Sequence, residues 1–401
     1  MSPASTDLAQ QKVIEFCEGF GVSALTGKLL ADLGCRVTKL EPATGDTLRG
    51  GEMVHTDLSL FALVAGSKDS VCLDFDKVEA PLLRRIFAQA DILVTDQDGW
   101  ARICAVVGGS LHELAPQLTI CVCTAFGLDG PMASWRGGED IVQAMSGIAS
   151  TTSHQGGRPT RIASQTVTHT TALHAVSAIL GDLLLKRQSG RGALLEACMF
   201  DTAISLLTAA MPAYFLEGVA PRGIGNRHTM AAPWNSFRCA DGWAIICAGN
   251  DPTWNRLCEA IGRRDLLSDP LYATQESRVR NVVSLEAEIT AWTARRSVER
   301  VEALMDEQGI PCGSILSLEQ VLDHPQFATR GLLRDCGVLK IAGAVFHRNG
   351  APLPVLAGAC DLGAGNHLLA RRFGLSDAEI TCLLAEGVLV DPKEKVDATA
   401  A

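Results

Sequence analysis

The chain carries no run of basic residues, no apolar stretch of membrane-spanning length, no C-x-x-C pair, no internal repeat, no low-complexity tract and few aromatic residues, 5% of its 401. Each absence narrows the field. Net charge is −10, from 35 Lys+Arg against 45 Asp+Glu, which argues against a nucleic-acid or anionic-membrane partner. A phosphate-bearing ligand would have to be met by a few placed cations. The most apolar run, near Leu173 to Leu185, is broken by His174, Gly181 and Asp182 and falls short of the roughly 18 to 20 apolar residues that a membrane span needs. The opening MSPASTDLAQQ lacks the basic-then-apolar pattern of a signal peptide, so a cytoplasmic chain is expected. Fourteen cysteines are scattered singly through apolar segments such as CVC at 121 to 123, without His/Cys ligand spacing. They read as buried reduced thiols, and no metal site is expected.

What is present points to a well-buried globular protein, a candidate for oligomerisation. Apolar residues make up 47%, charged residues 20%, and mean hydropathy is +0.17. At 42.5 kDa the chain exceeds what one hydrophobic core usually organises, so two domains, or one with a substantial insertion, are expected. KVIEF at 12 to 16 reads as a buried strand, Ser23 to Leu33 as a helix, and Arg36 to Leu40 as a strand. Strands at Ser70 to Leu73, Asp91 to Val94 and Leu118 to Thr124 follow, with a helix from Ala80 to Gln89 between the first two. Alternation of this kind implies an α/β fold with a mostly parallel, doubly wound, Rossmann-like sheet. A long helical pattern runs from Thr168 to Lys186, then the loop QSGRG, then a second helix from Glu196 to Phe215. Turn residues cluster between Gly223 and Asp241, followed by the strand WAIICAG and helical stretches to about Asp306. The expected division is a large domain over 1–224, a smaller α+β domain over 225–330, a return to the large domain over 331–390, and a disordered tail over 391–401.

Gly19-Phe20-Gly21-Val22-Ser23-Ala24 fits the dinucleotide pattern G-x-G-x-x-[GA] between a strand and a helix, and Glu41 lies where a ribose-binding acid would be. Two details count against NAD(P). Cys17 and Glu18 separate the strand from the first glycine, placing a carboxylate against the phosphates. Glu41 leads into PATGDTLRG, a turn with charges of its own rather than the wall of an adenosine pocket.

Taken together, VIEF…LLADLGCRVTKLEPATGDTLRG, KDSVCLDF at 68 to 75, ADILV at 90 to 94, TAFGLDGP at 124 to 131, EDIVQAMSG at 139 to 147, RQSGRGALLEACMFDT at 187 to 202, GN at 225 to 226 and GIPCG at 309 to 313 resemble the class III coenzyme A transferase family. The similarity runs in order over residues ~12 to 385. The resemblance implies an interlocked dimer of ring-like chains, each with a Rossmann-like large domain, to which both chain ends contribute, and a small domain. Coenzyme A and acyl-CoA would be substrates, with no permanently bound cofactor. Cations near the family's nucleotide-contacting blocks are Lys68, Lys77, Arg102 and Arg136, with Arg136 the best placed, and Leu73 sits where an apolar residue lines the adenine. The alternative for each cation is an ordinary surface charge. One departure is Asp96-Gln97-Asp98, where the family commonly has Asn-Phe and a nearby Arg, and two carboxylates beside a phosphate would oppose binding.

The family's chemistry rests on an aspartate that attacks the thioester to form a mixed anhydride and release CoA thiolate. By resemblance that position is Thr168 in QTVTHTTALHA, and no Asp or Glu lies between Asp140 and Asp182. A hydroxyl would need a base, and His169, the next residue, points to another helix face. His169 and His174 do not share a face for a metal pair, and His174 reads as a helix-packing residue. The histidine of the racemase variant has Gly138 in its place, which leaves a two-base racemase unsupported. The expected function is therefore a non-nucleophilic subunit of a heteromeric CoA-transferase. A paralogous chain would supply the aspartate, with dicarboxylic and aryl-substituted acids as candidate substrates and benzylsuccinate CoA-transferase as a heteromeric member that the chain could resemble. Alternatives are a homodimeric acyl-CoA enzyme with a non-Asp mechanism and a non-catalytic CoA-binding protein. Gly225, Asn226, Arg227 and His228 form a candidate lid or carboxylate-binding loop, the other reading being a solvent-facing turn.

Overall fold

The computed structural model describes residues 8–50, 54–336, 339–353 and 358–391. The tail PKEKVDATAA, expected to be disordered, lies outside the described residues. The chain forms two compact units, the first from residues up to Ser146, Ile162–Leu207 and Arg330 onward, the second from Gly147–Arg161 and Thr208–Thr329. The second unit thus begins before residue 225 and includes an earlier segment that composition did not separate from its surroundings.

In the first unit β1 (Lys12–Phe16), β2 (Arg36–Glu41), β3 (Lys68–Cys72), β4 (Ile92–Asp96), β5 (Thr119–Thr124) and β6 (Leu194–Cys198) form one parallel sheet in the order β3-β2-β1-β4-β5-β6. Strands buried on both faces need near-continuous apolar runs, and every residue of β5 is buried. Helices α1 (Val22–Asp32), α2 (Val54–Ala65), α3 (Ala80–Ala88), α4 (Gln97–Val107) and the single turn α5 (Leu111–Leu114) connect the strands in turn. Beyond β5 come α6 (Glu139–Met145), the short α7 (Ile148–Thr151) of the second unit, and α8 (Thr166–Ser189). On α8 the buried residues Thr168, Thr171, Ala175, Ile179 and Asp182 fall three or four apart, a single stripe. Asp182 ties that helix to the sheet by accepting from Thr119 Oγ1 at 2.6 Å and Ala193 N at 3.1 Å.

The sequence pattern suggested one helix over 196–215. The structure has β6 there instead, then α9 (Met199–Ser205) and α10 (Ala210–Glu217). Pairing of Ile120 with Leu194 and Val122 with Glu196 overrides the helical propensity of LLEAC.

One polar group interrupts the apolar run of β1. Glu15 is fully buried, and it is answered by Lys39 at 3.2 Å from β2 and by Lys68 from β3. Lys39 also pairs with Asp46 at 2.8 Å and donates to Cys17 O at 2.7 Å. Gly27 of α1 leaves the room this cluster needs, since a Cβ there would overlap the Glu15 carboxylate and approach Lys68 Nζ. At the far edge of the sheet the chain end returns: Leu73 bridges Leu389, and Asp74 N donates to Val388 O at 2.8 Å. Asn366 clips this segment, accepting from Cys72 N and donating to Val390 O, each at 2.9 Å.

The second unit carries an antiparallel sheet of β7 (Trp234–Arg238), β8 (Trp243–Cys247) and β9 (Cys312–Ser314) in that order. Its core joins Phe237, Ile246, Trp254, Leu257, Ile289 and Met305. The fully buried Arg278 donates to Ala232 O at 2.9 Å, Tyr272 O at 3.2 Å and Asp251 at 2.6 Å.

Replacing Glu15 by Ala leaves two lysines uncompensated in the sheet interior. Urea unfolding of Glu15→Ala is expected to show a loss of about 3–5 kcal/mol. A loss below about 1 kcal/mol would show that the cluster does not hold the sheet.

Candidate active site

In a sheet of this order the direction in which successive strands are added reverses between β1 and β4, and the crevice beyond the carboxyl ends of those strands is the natural ligand site. A cleft of about 590 Å³ lies there. Its walls come from the loop after β1 (17–24), the start of α4 (96–98), the end of β5 (123–125), the segment 134–141 and the start of α8.

The loop after β1 is fixed from below. Gly19 has φ +75°, a conformation glycine adopts freely, and its N–H donates to Asp46 Oδ1 at 3.1 Å and Oδ2 at 3.2 Å. Glu41 is buried and accepts from Arg49 Nε at 2.7 Å, Arg49 Nη2 at 2.8 Å and Asp46 N at 2.9 Å. Burial would raise its carboxyl, but Arg49 and the other donors outweigh that and hold it below the ordinary range. Glu41 therefore anchors the following turn and presents no free carboxylate to a ribose.

The opposite wall is built around Glu139, a residue that sequence reasoning passed over. Its Oε1 accepts from Gln143 Nε2 at 2.7 Å and Val167 N at 2.9 Å. Its Oε2 accepts from Thr168 N at 2.7 Å and Thr168 Oγ1 at 2.6 Å. Gln165, at the N-cap of α8, makes no side-chain cap, so the carboxylate from α6 satisfies the open N–H groups of the helix start. Burial pushes Glu139 up, yet the Thr168 hydroxyl and the backbone donors prevail and its pKa is lowered. The readable signal was Glu139 and Gln143 four apart on one helix face. Gln143 also exchanges hydrogen bonds with Ile162, at 3.2 Å to its O and 2.7 Å from its N.

Thr168 thus lines the cleft with its hydroxyl given to Glu139, while His169 is not among the lining residues, its Nδ1 2.8 Å from Gln165 O and its ring 6.4 Å from that of Phe20. His174 is exposed, so the packing role expected of it is not what the structure shows; the helix turns it outward with Leu173. At the mouth, Arg136 donates to Asp98 through Nη1 at 2.6 Å and Nη2 at 3.1 Å, and Gln97 Nε2 donates to Ala133 O. Asp96 caps α4 through Gly99 N at 2.7 Å, and burial together with neighbouring Asp98 raises its carboxyl. Glu18 is raised as well, by burial first and then by Asp46.

The remaining candidates divide by position. Arg102 lies 3.8 Å from Glu18 with its guanidinium over the stacked rings of Phe75 and Phe16, 5.2 Å and 5.7 Å away. Lys77 is exposed beside Asp74 at 3.6 Å. Lys68 and Leu73 are buried inside the unit, Lys68 on Glu15 and Leu73 beneath the returning chain end, which leaves neither a surface for phosphate or adenine. In the second unit, Gly225 N donates to Ser153 O at 3.0 Å and Asn226 Nδ2 to Ser236 Oγ at 3.0 Å. Arg227 is held by Glu286 at 2.9 Å and 2.7 Å, and the His228 ring lies 5.0 Å from that of Trp234. That loop is knitted into its own unit, and the Arg227 fork is already occupied by an acid.

A model of CoA-transferase family III matches residues 8–366. Succinate–glutarate CoA-transferase of Agrobacterium fabrum is 30% identical over 321 residues, 77% of this chain and 80% of that protein. Succinyl-CoA–D-citramalate CoA-transferase of Chloroflexus aurantiacus is 29% identical over 378 residues, 90% of this chain and 93% of that protein. The crystal structure of a CaiB/BaiF family protein from Brucella suis shares 26% identity and a TM-score of 0.80, covering 92% of this chain and 99% of its own. The chain belongs to CoA-transferase family III. It is a transferase for which CoA thioesters and carboxylic acids are the fitting substrates.

Because its folded pKa lies below the unfolded value, Glu139 contributes stability above the ordinary glutamate range and loses that contribution as pH falls through the lowered pKa. Glu139→Gln should therefore be less stable than wild type by about 1–3 kcal/mol at neutral pH in urea titrations. The gap should close in acid, and a gap independent of pH would rule out the charge as its source.

Proposed function

We propose that this chain is the non-nucleophilic subunit of a heteromeric CoA-transferase, in which a paralogous chain supplies the attacking aspartate. The observation that carries this reading is Thr168 in the cleft wall, its Oγ1 2.6 Å from a glutamate whose two oxygens already take four hydrogen bonds. An unencumbered carboxylate can attack a thioester, expel CoA thiolate and hold the acyl group as a reactive anhydride. A threonine hydroxyl can form only an oxyester, a weaker acyl donor that does not readily return the acyl group to a thiol. Glu139, with its charge spread over four donors, is a capping group rather than a nucleophile. Arg136, at the cleft, and Arg102, beside it, are the candidate cations for the CoA phosphates.

Exposed apolar side chains support an assembly. In the first unit Leu173, Leu184 and Leu185 are 52%, 59% and 66% exposed, and in the second Phe215 and Leu216 are 77% and 86% exposed. An interlocked dimer with the paralogous chain would cover such surfaces, and a cytoplasmic setting belongs to the same proposal. The relatives' names contain glutarate and D-citramalate, so short carboxylic acids are the first substrates to test.

A second reading has one observation in its favour: the Thr168–Glu139 contact has the geometry of a hydroxyl and its general base, in a place where sequence alone offered only His169. It would make the chain a self-sufficient acyl-CoA enzyme.

The isolated chain is expected to show no CoA exchange between acids, and co-expression with an Asp-bearing paralogue should establish it. Thr168→Asp should give the isolated chain exchange activity at least about tenfold above background. Robust exchange by the unmodified chain alone would overturn the proposal, and an acyl adduct on Thr168 in intact-protein mass spectrometry would favour the second reading.

A further inference from the structure

The start of α1 holds a buried donor that no other group uses. Ser23, the second residue of that helix and part of the cleft lining, is 3% exposed, and its Oγ has no hydrogen-bond partner among the described residues. The other hydroxyl of the helix, Thr26 Oγ1, satisfies itself by donating back to Val22 O at 2.7 Å. The Cys123 thiol lies beside Ser23, but Cys121 and burial hold it protonated, which makes it a poor partner for a hydroxyl. The N–H groups of Val22, Ser23 and Ala24 are the open donors of the helix start, where Gly21 supplies no side-chain cap, and all three residues line the cleft. Asp96 meets this need at α4 and Glu139 at α8. An unpaired buried hydroxyl costs stability, and alanine suits a helix better than serine, so Ser23 is explained by a ligand and not by the fold.

We propose that Ser23 Oγ and the N–H groups at the start of α1 receive the carbonyl oxygen of a bound acyl-CoA thioester. The inference rests on reading the cleft as the acyl-CoA site. A carbonyl oxygen is a small neutral acceptor that turns negative as the thioester reacts, and the positive end of a helix favours that change. When a carboxylate attacks the thioester carbon, a C–O bond forms and the carbonyl π pair moves onto this oxygen. The pair returns as the C–S bond breaks and its electrons leave on the CoA sulfur. Phe20, Val22 and Met199, in the same lining, offer apolar surface to the acyl chain.

The test compares acetyl-CoA with S-ethyl-CoA, a thioether of the same length that lacks the carbonyl. Both carry the same phosphates, so a site that held phosphate would not tell them apart. Calorimetry on the full chain should show acetyl-CoA binding at least about threefold tighter. Ser23→Ala should remove most of that preference, leave S-ethyl-CoA binding unchanged and leave the melting midpoint no lower than in wild type. Independently of any variant, the infrared carbonyl stretch of carbonyl-13C-labelled acetyl-CoA should fall on binding, and it should move back up in Ser23→Ala. Equal binding of the two ligands, no binding of either, an unshifted carbonyl band, a preference that survives in Ser23→Ala, or a lowered melting midpoint in that variant would each overturn the proposal. These readings need no turnover. CoA exchange by the unmodified chain alone would defeat the heteromeric function and leave the carbonyl site standing, whereas an unshifted carbonyl in a chain that binds acetyl-CoA defeats the carbonyl site alone.

Discussion

A glutamate in the middle of an apolar strand must either shed its charge or find cations, and Glu15 finds two, one from each of the next strands toward the sheet edge. The pairing does more than neutralise a buried acid. Lys39 extends from Glu15 to Asp46 and to Cys17 O, and Asp46 in turn receives Gly19 N. The loop that forms one wall of the cleft is therefore held by the charges that lock β1 to β2 and β3. Gly27 is the steric counterpart, leaving space in α1 where any side chain would collide with the carboxylate.

The opposite wall depends on a second carboxylate in a different role. Glu139 reaches from α6 to the open end of α8, where unsatisfied N–H groups and the helix dipole favour negative charge. A residue at position 168 meets that charge directly. A threonine settles there by donating its hydroxyl; an aspartate would bring a second acid to the same helix end. The identity of residue 168 and the ionisation of Glu139 are one electrostatic question, and they are best considered as a pair.

Much of the first unit was legible in the sequence because its signals are local. The runs at KVIEF and TICVCT, the spacing of leucines in α1 and the long stripe of α8 each declare their element within a few residues. Legibility ended where partners are distant. Lys68 looks like a cation ready for phosphate until Glu15, 53 residues earlier, is found against it. Leu73 looks like a pocket residue until Leu389 covers it. Glu196 to Cys198 of the edge strand β6 read as the start of a helix because these residues suit either state and β5 decides between them. Glu139 escaped notice because its donors at 167 and 168 lie across an excursion into the second unit. The position of Thr168 was readable, but the acceptor of its hydroxyl was not.

The return of the chain end to β3 bears on the order in which the molecule can be completed. Strands β1 to β5 are all synthesised before residue 125, yet the cover over the outer edge of β3 comes from Gly363 to Asn366 and from Val388 to Val390. A nascent chain therefore emerges from the ribosome with that edge open while the whole second unit is still being made. Closure waits for residues 388–390, which follow the whole second unit in the chain, so the large unit becomes whole only after the small one has had time to fold.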